Sequence, residues 1–222
     1  MRGRWENAFP IRKRMKDHLR AWALLAATLS FCVLFLSACG KKSDLPKENS
    51  AVFDKDGSIT VTTFEDFPET RYDKNELKKA VEQEVSDYNE RSSRKAVKVQ
   101  ELKVNDGKAS SVIEYESWQD FHDFNGGAML YYGTVDGITG LGWDLSRLLR
   151  QPSLQNSNRI LNAATLDTLG DRYLIYVSEP MVLDFEGDPL FITDGCKIEE
   201  DGIVRVPDYT SESQPAIILF DR

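Results

Sequence analysis

Apolar and polar positions divide the chain into stretches of different period. Residues 1–20 are polar and basic, whereas Ala21 to Ala38 is an apolar run without a charged residue. Lys41 to Ser50 (KKSDLPKENS) is polar, contains Pro46 and shows no apolar face, which predicts an unstructured tether reaching at most about 35 Å. From Ala51 onward, periods of 3.6 and 2 take turns, as in a folded domain.

Phe53 and the run Ile59–Phe64 flank Asp54-Lys55-Asp56-Gly57, and an Asp-Gly pair between apolar runs predicts a hairpin. The Asp-x-Asp-Gly spacing also matches half of a calcium loop, but the acid that ends such a loop is missing, so a turn is the better reading. Tyr72–Glu90 carries Leu77, Val81, Val85 and Tyr88 at helical spacing, with Asp73 as N-cap and Glu76 at the capping-box position. Ala96–Val104 and Lys108–Glu116 read as strands joined at Asn105-Asp106-Gly107, and a parity change between Val97/Val99 and Leu102/Val104 places a bulge near Gln100. A short helix follows, capped by Ser117 with Asp120 in the box position and stopped by Gly126-Gly127; Met129–Tyr132 is a further strand.

Leu141–Arg172 is weakly patterned: Asp144–Arg150 reads as a helical turn, Leu154–Asn158 as polar loop and Asn158–Leu169 as a short helix. Tyr173–Ser178, Met181–Glu186, Pro189–Thr193, Gly202–Val206 and Ala216–Phe220 are strands separated by regular turn signals. The sum is an α+β domain over 51–222: an antiparallel sheet with one or two packed helices, followed by a C-terminal all-β meander, with 173–222 as a candidate small β lobe.

Charge changes the picture at the N-terminus. Arg2, Arg4, Arg12, Lys13, Arg14, Lys16 and Arg20 precede the apolar run against only Glu6 and Asp17, a flank that stays cytoplasmic during export. The run ends in Leu36-Ser37-Ala38-Cys39, which resembles the lipobox of bacterial lipoproteins. That resemblance implies a diacylglyceryl group on the Cys39 thiol, removal of residues 1–38, a tether over 39–50 and attachment to the extracytoplasmic face of the cell membrane. The competing reading is an uncleaved signal anchor, since the run of 18 residues just reaches across a bilayer. A start at Met15 would give a signal of more usual length. Cleavage after residue 38 leaves 184 residues and moves the net charge from −8 to −13, which disfavours nucleic acid as a partner.

Further strings are similar to a group of small lipoproteins of Gram-positive gut clostridia. They are Asp54-Lys55-Asp56-Gly57-Ser58-Ile59, Glu65-Asp66-Phe67, Tyr72-Asp73, Glu76-Leu77-Lys78-Lys79, Tyr88-Asn89, Ser117-Trp118-Gln119-Asp120-Phe121, Phe124-Asn125 and Gly133-Thr134-Val135. The likeness implies the same address and no particular chemistry.

Candidate chemistry is sparse. After cleavage His122 is the one histidine and Cys196 the one free thiol, so a zinc set is out of reach and no disulfide can form within the chain. No metal or cofactor is expected. Ser92-Ser93-Arg94-Lys95 matches Ser-x-x-Lys without the companion motifs of that chemistry. Trp118, Tyr131, Tyr132 and Trp143 stand out in an aromatic-rich stretch, as core or as a groove for a peptide or glycan. The expected function is therefore non-enzymatic: a membrane-anchored, exported lipoprotein that binds an envelope protein, peptide or glycan, or has a structural role there. The alternative is an envelope hydrolase built on a carboxylate pair, which leaves no local signature.

Overall fold

The computed structural model describes residues 48–68, 73–143, 145, 149–151, 160–161, 167–199 and 202–222. Leu36-Ser37-Ala38-Cys39, most of the tether, Tyr72, Asp144 and the loop Leu154–Asn158 lie outside the described residues.

Strands β1 (Ser50–Phe53) and β2 (Ile59–Asp66) form the expected hairpin, with Phe53 opposite Ile59. Gly57, at φ +97°, supplies the left-handed residue of its loop, and Asp56 Oδ1 accepts the Ser58 N–H at 3.0 Å and the Ser58 hydroxyl at 2.7 Å. Those two bonds hold the Asp56 carboxyl below the usual carboxylate range.

Helix α1 (Lys74–Ser92) starts where Asp73 accepts the N–H groups of Asn75 and Glu76 at 2.7 and 3.1 Å. Its stripe is real but shallow: Val81 is 5% exposed, while Leu77, Val85 and Tyr88 are half-buried. Val81→Asp should therefore cost on the order of 2–3 kcal/mol by placing an unpaired charge in that seam. Lys79→Glu on the exposed face should change stability by less than about 0.5 kcal/mol. Equal losses in urea titrations of the two variants would mean that α1 is not docked.

Strands β3 (Val97–Asn105) and β4 (Lys108–Tyr115) meet at a two-residue turn with Asp106 at φ 51° and Gly107 at φ 72°. A type I′ hairpin requires left-handed backbone at both positions. The register slips between Val99 and Glu101, so Gln100 is the bulge. Val97, Val99, Leu102 and Val104 consequently oppose Tyr115, Ile113, Ser111 and Ala109, one face of β4.

Helix α2 (Trp118–Phe124) is capped as its sequence predicts: the Ser117 hydroxyl accepts from Asp120 N–H at 3.2 Å and donates to Asp120 Oδ2 at 2.6 Å. Asp120, 1% exposed, also accepts from Arg94 at 2.6 Å and from the Tyr88 hydroxyl at 3.0 Å, which ties α2 to α1. Burial and this contact push the Tyr88 phenol up to about 12.

After β5 (Leu130–Thr134) comes α3 (Val135–Thr139), a five-residue helix capped by Thr134 that the sequence pattern does not reveal. The weakly patterned stretch also differs from expectation. Leu149 and Arg150 form strand β6 (Leu149–Arg150) rather than the end of a helical turn. Within the expected helix Asn158–Leu169, Ile160 and Leu161 form β7 (Ile160–Leu161) and Asp167–Leu169 is a 3-10 turn; its other residues lie outside the described ones. Pairing with β10 (Asp188–Thr193), through Leu149 opposite Thr193, imposes the extended form, a long-range choice that local pattern cannot carry.

The remaining strands are β8 (Tyr173–Val177), β9 (Val182–Phe185), β11 (Lys197–Ile198), β12 (Val204–Arg205) and β13 (Ala216–Asp221). The protein is a mixed α+β fold with a strand-rich C-terminal region, and its strands form two mostly antiparallel sheets. Their orders are β11-β12-β9-β1-β2-β4-β3 and β5-β8-β13-β10-β6-β7. Strands from 173–222 are dealt to both sheets, because β8, β10 and β13 belong to the second and β9, β11 and β12 to the first. The chain crosses repeatedly between sheets instead of pairing its strands in sequence order. β9 even lies parallel to β1, Ala51 beside Leu183, so the C-terminal region completes the N-terminal sheet.

The middle strands of the second sheet are buried on both faces: Leu174–Val177 and Ala216–Phe220 are at most 1% exposed. Their unbroken apolar runs reflect that position. One face carries Tyr132, Tyr173 and Phe220 against Phe53 and Phe185 of the first sheet, with Phe185–Phe220 ring centres 4.6 Å apart. The opposite face carries Tyr131, Leu174, Tyr176, Ile217 and Leu219, packed with Val135 and Ile138 of α3 and with Leu149.

Candidate functional site

The second of these cores emerges at the surface as a group of aromatic rings. α2 contributes Trp118 and His122, β5 contributes Tyr131, β8 contributes Tyr176, and Trp143 follows α3. Trp118 lies 5.0 Å from Tyr131 and 5.8 Å from Trp143, nearly edge-on to the latter at 76°. Trp143 in turn lies 5.1 Å from Tyr176 and 5.8 Å from His122. Edge and tilted contacts of this kind are the favoured aromatic geometries.

Tyr131 and Tyr176 are the buried floor, at 3% and 1% exposure. Trp118, His122 and Trp143 are half-buried and form the accessible rim. Burial pushes the Tyr131 phenol up to about 12, and its hydroxyl donates to the Thr134 carbonyl at 2.6 Å, so this ring is neutral and fixed. His122 Nδ1 lies 3.1 Å from the Ala128 carbonyl, which can only accept. Nδ1 therefore carries the proton in the neutral ring, and Nε2 keeps its lone pair as an acceptor.

Of the four aromatic residues singled out from sequence, three come together and one does not. Trp118, Tyr131 and Trp143 share the cluster. Tyr132, one residue further along β5, points to the opposite face and stacks on Phe220 at 6.2 Å and 6° between planes. Strand alternation imposes that separation. Arg222 covers Tyr132 from outside, 6.0 Å from its ring centre and 4.8 Å from that of Tyr173. Tyr176 belongs to the cluster but was not singled out, since its signal is shared by every residue of an apolar strand.

The other polar candidates are occupied locally. Ser92 Oγ lies 3.2 Å from the carbonyls of both Asn89 and Arg94, closing the end of α1, and Ser93 takes the left-handed C-cap conformation. Cys196 is half-buried in the turn after β10, its N–H bonded to the Thr193 carbonyl at 3.2 Å. Among the described residues no group of three or more His, Cys, Asp or Glu side chains is placed to hold a metal ion. Among the described residues Glu179, in the crossing from β8 to β9, is the one carboxyl pushed up as far as about 7, by burial first and then by the charges of Glu212 and Glu65.

The aromatic cluster can offer stacking surface and one imidazole acceptor. Among the described residues it holds no nucleophile and no acid–base pair. Comparison of the chain with protein-family models, with curated proteins and with solved structures finds no match.

Proposed function

We propose that this protein is an exported bacterial lipoprotein, held at the extracytoplasmic face of the cell membrane through Cys39, whose folded body binds rather than transforms. The observation behind the binding half is the half-buried rim Trp118–His122–Trp143, set on the rigid floor of Tyr131 and Tyr176. Rigid aromatic faces next to a polar acceptor suit the CH faces of a glycan or the side chains of an envelope peptide. The address rests on the lipobox-like Leu36-Ser37-Ala38-Cys39 behind a basic flank and an apolar run.

The test is a titration of the purified full chain, in mild detergent, against oligosaccharides and cell-wall peptides, followed by Trp fluorescence. Saturable binding should weaken at least about tenfold in Trp118→Ala and in Trp143→Ala, roughly 1.4 kcal/mol each. Lys79→Glu, on the exposed face of α1, should bind like the parent chain. Absence of saturable binding, or tryptophan variants that bind normally, would sink the reading.

The hydrolase reading keeps one observation in its favour, the raised carboxyl of Glu179 with other acids acting on it, the electrostatic pattern of a general acid. Turnover of one of those polymers, lost in Glu179→Gln with the fold intact, would replace the binding reading.

A further inference from the structure

Trp118 and His122 stand four residues apart on α2, so both side chains leave the same face of the helix. The turn after α2 fixes the imidazole. Gly127 donates its N–H to the His122 carbonyl at 2.8 Å, and the Ala128 carbonyl then meets Nδ1 at 3.1 Å. Trp143 closes the group, 5.8 Å from both of the other rings. Among the described residues the two indole N–H groups and His122 Nε2 have no hydrogen-bond partner, yet none of the three is sealed from water. The one buried side-chain N or O atom left without a partner there is Gln151 Oε1. Two donors and one acceptor thus stay within reach of solvent at the edge of an apolar surface.

Charge and spacing decide what fits that surface. Among the described residues no cation lies over these rings: Arg91 covers Tyr88, and Arg222 covers Tyr132 and Tyr173. Asp123, next to His122 in sequence, acts on the Tyr88 phenol at the α1 side of the helix. The side chains packed around the rings are apolar, Met129, Leu145 and Leu169 among them. A charged ligand group would lose its water here and gain no partner. Ring centres 5.0–5.8 Å apart are already in contact, so no gap receives a cation between two faces. A peptide would bring a backbone donor and acceptor at every residue, a series that three isolated polar atoms cannot meet. A neutral sugar matches both demands. Its CH face lies on an indole, and its hydroxyls, which donate and accept, meet the N–H groups and Nε2.

We propose, building on the binding reading of this rim, that its ligand is a neutral oligosaccharide and that His122 selects it by accepting one sugar hydroxyl at Nε2. Trp118 and Trp143 supply the stacking faces. His122 supplies the direction, because the Ala128 carbonyl holds Nδ1 and the ligand's donor must point at the remaining nitrogen. A site that hydrogen-bonds a hydroxyl discriminates against the analogue that lacks it.

Titration of the full chain in mild detergent, followed by Trp fluorescence, tests this with neutral oligosaccharides of glucose, galactose, mannose and N-acetylglucosamine. Oligomers of glucosamine and of glucuronate and a cell-wall peptide serve as the other probes. At least one neutral sugar should saturate, and the charged sugars should bind at least about tenfold more weakly. On the tightest neutral sugar, removal of single hydroxyls should reveal one position worth about three- to tenfold in affinity. In His122→Phe the intact sugar should bind more weakly by that factor, and the same deoxy sugar should lose nothing further. The deoxy series on the parent chain decides the matter should His122→Phe not fold. A flat deoxy series, or equal deoxy penalties in parent and variant, would overturn the sugar assignment. Tighter binding of the peptide or of a charged sugar through Trp118 and Trp143 would also overturn it, while the binding reading would stand. Absence of any saturable binding overturns both.

Discussion

Phe220→Ala should destabilise the protein by about 3–5 kcal/mol, the range for emptying a fully buried aromatic site. Phe220 is 0% exposed and belongs to β13, in the middle of the second sheet. Its ring touches Phe185 of the first sheet at 4.6 Å, stacks on Tyr132 at 6.2 Å and lies 5.9 Å from Tyr173. Three strands from two sheets thus converge on one side chain, and a void there cannot close unless a sheet moves. The neighbours are themselves large rings, which relax poorly, and this places the expected loss toward the upper part of the range. In urea titrations the midpoint should drop with the slope unchanged, the mark of lost stability rather than of an altered unfolded state. The melting temperature should fall by about 2–4 °C per kcal/mol for a body of this size. A loss below about 1 kcal/mol would mean that the sheets do not share this core.

The second large effect concerns Cys39→Ser. On the lipoprotein reading, a hydroxyl cannot take the diacylglyceryl group, and the lipoprotein signal peptidase then leaves the precursor uncut. Membrane fractionation alone would mislead, because the uncut precursor keeps the apolar run Ala21–Ala38 and can stay membrane-bound through it. The decisive measurement is the N-terminus by mass spectrometry. The parent chain should begin at an acylglyceryl-modified Cys39, and the variant should retain residues 1–38 without lipid. Two acyl chains anchor stably where one is marginal, each buried CH₂ contributing about 0.8 kcal/mol. A parent protein that starts elsewhere, or that still carries residues 1–38, refutes the anchor.

Much of the candidate site was legible in part. Trp118 and Trp143 stood out by residue type, and Ser117 with Asp120 announced the helix that carries Trp118 and His122. Nothing in the sequence separates Tyr131 from Tyr132 as rim floor and inter-sheet core, since both are aromatic residues of one strand. The outcome depends on which face of β5 meets the first sheet, and β5 reaches that position by pairing with β8, Leu130 opposite Val177. Glu179 was invisible for a similar reason. Its carboxyl is perturbed by burial and by Glu65 and Glu212, which lie far from it in sequence and reach it only in the folded state.

By itself the sequence determined the local elements: the hairpin at Asp54–Ser58, the capped helices α1 and α2, the turn at Asp106-Gly107 and the bulge at Gln100. Each rests on contacts between residues a few positions apart, or on the parity of one strand against its hairpin partner, so the information is contained in a short window. The tertiary structure alone decided sheet membership after Tyr173, the parallel pairing of β1 with β9 and the strand identity of Leu149–Arg150 and Ile160–Leu161. A turn signal states that the chain reverses, not which sheet receives the next strand. That choice is made by burying Phe53, Phe185 and Phe220 together, a contact among residues more than thirty positions apart, whose energy exists only when both sheets are in place.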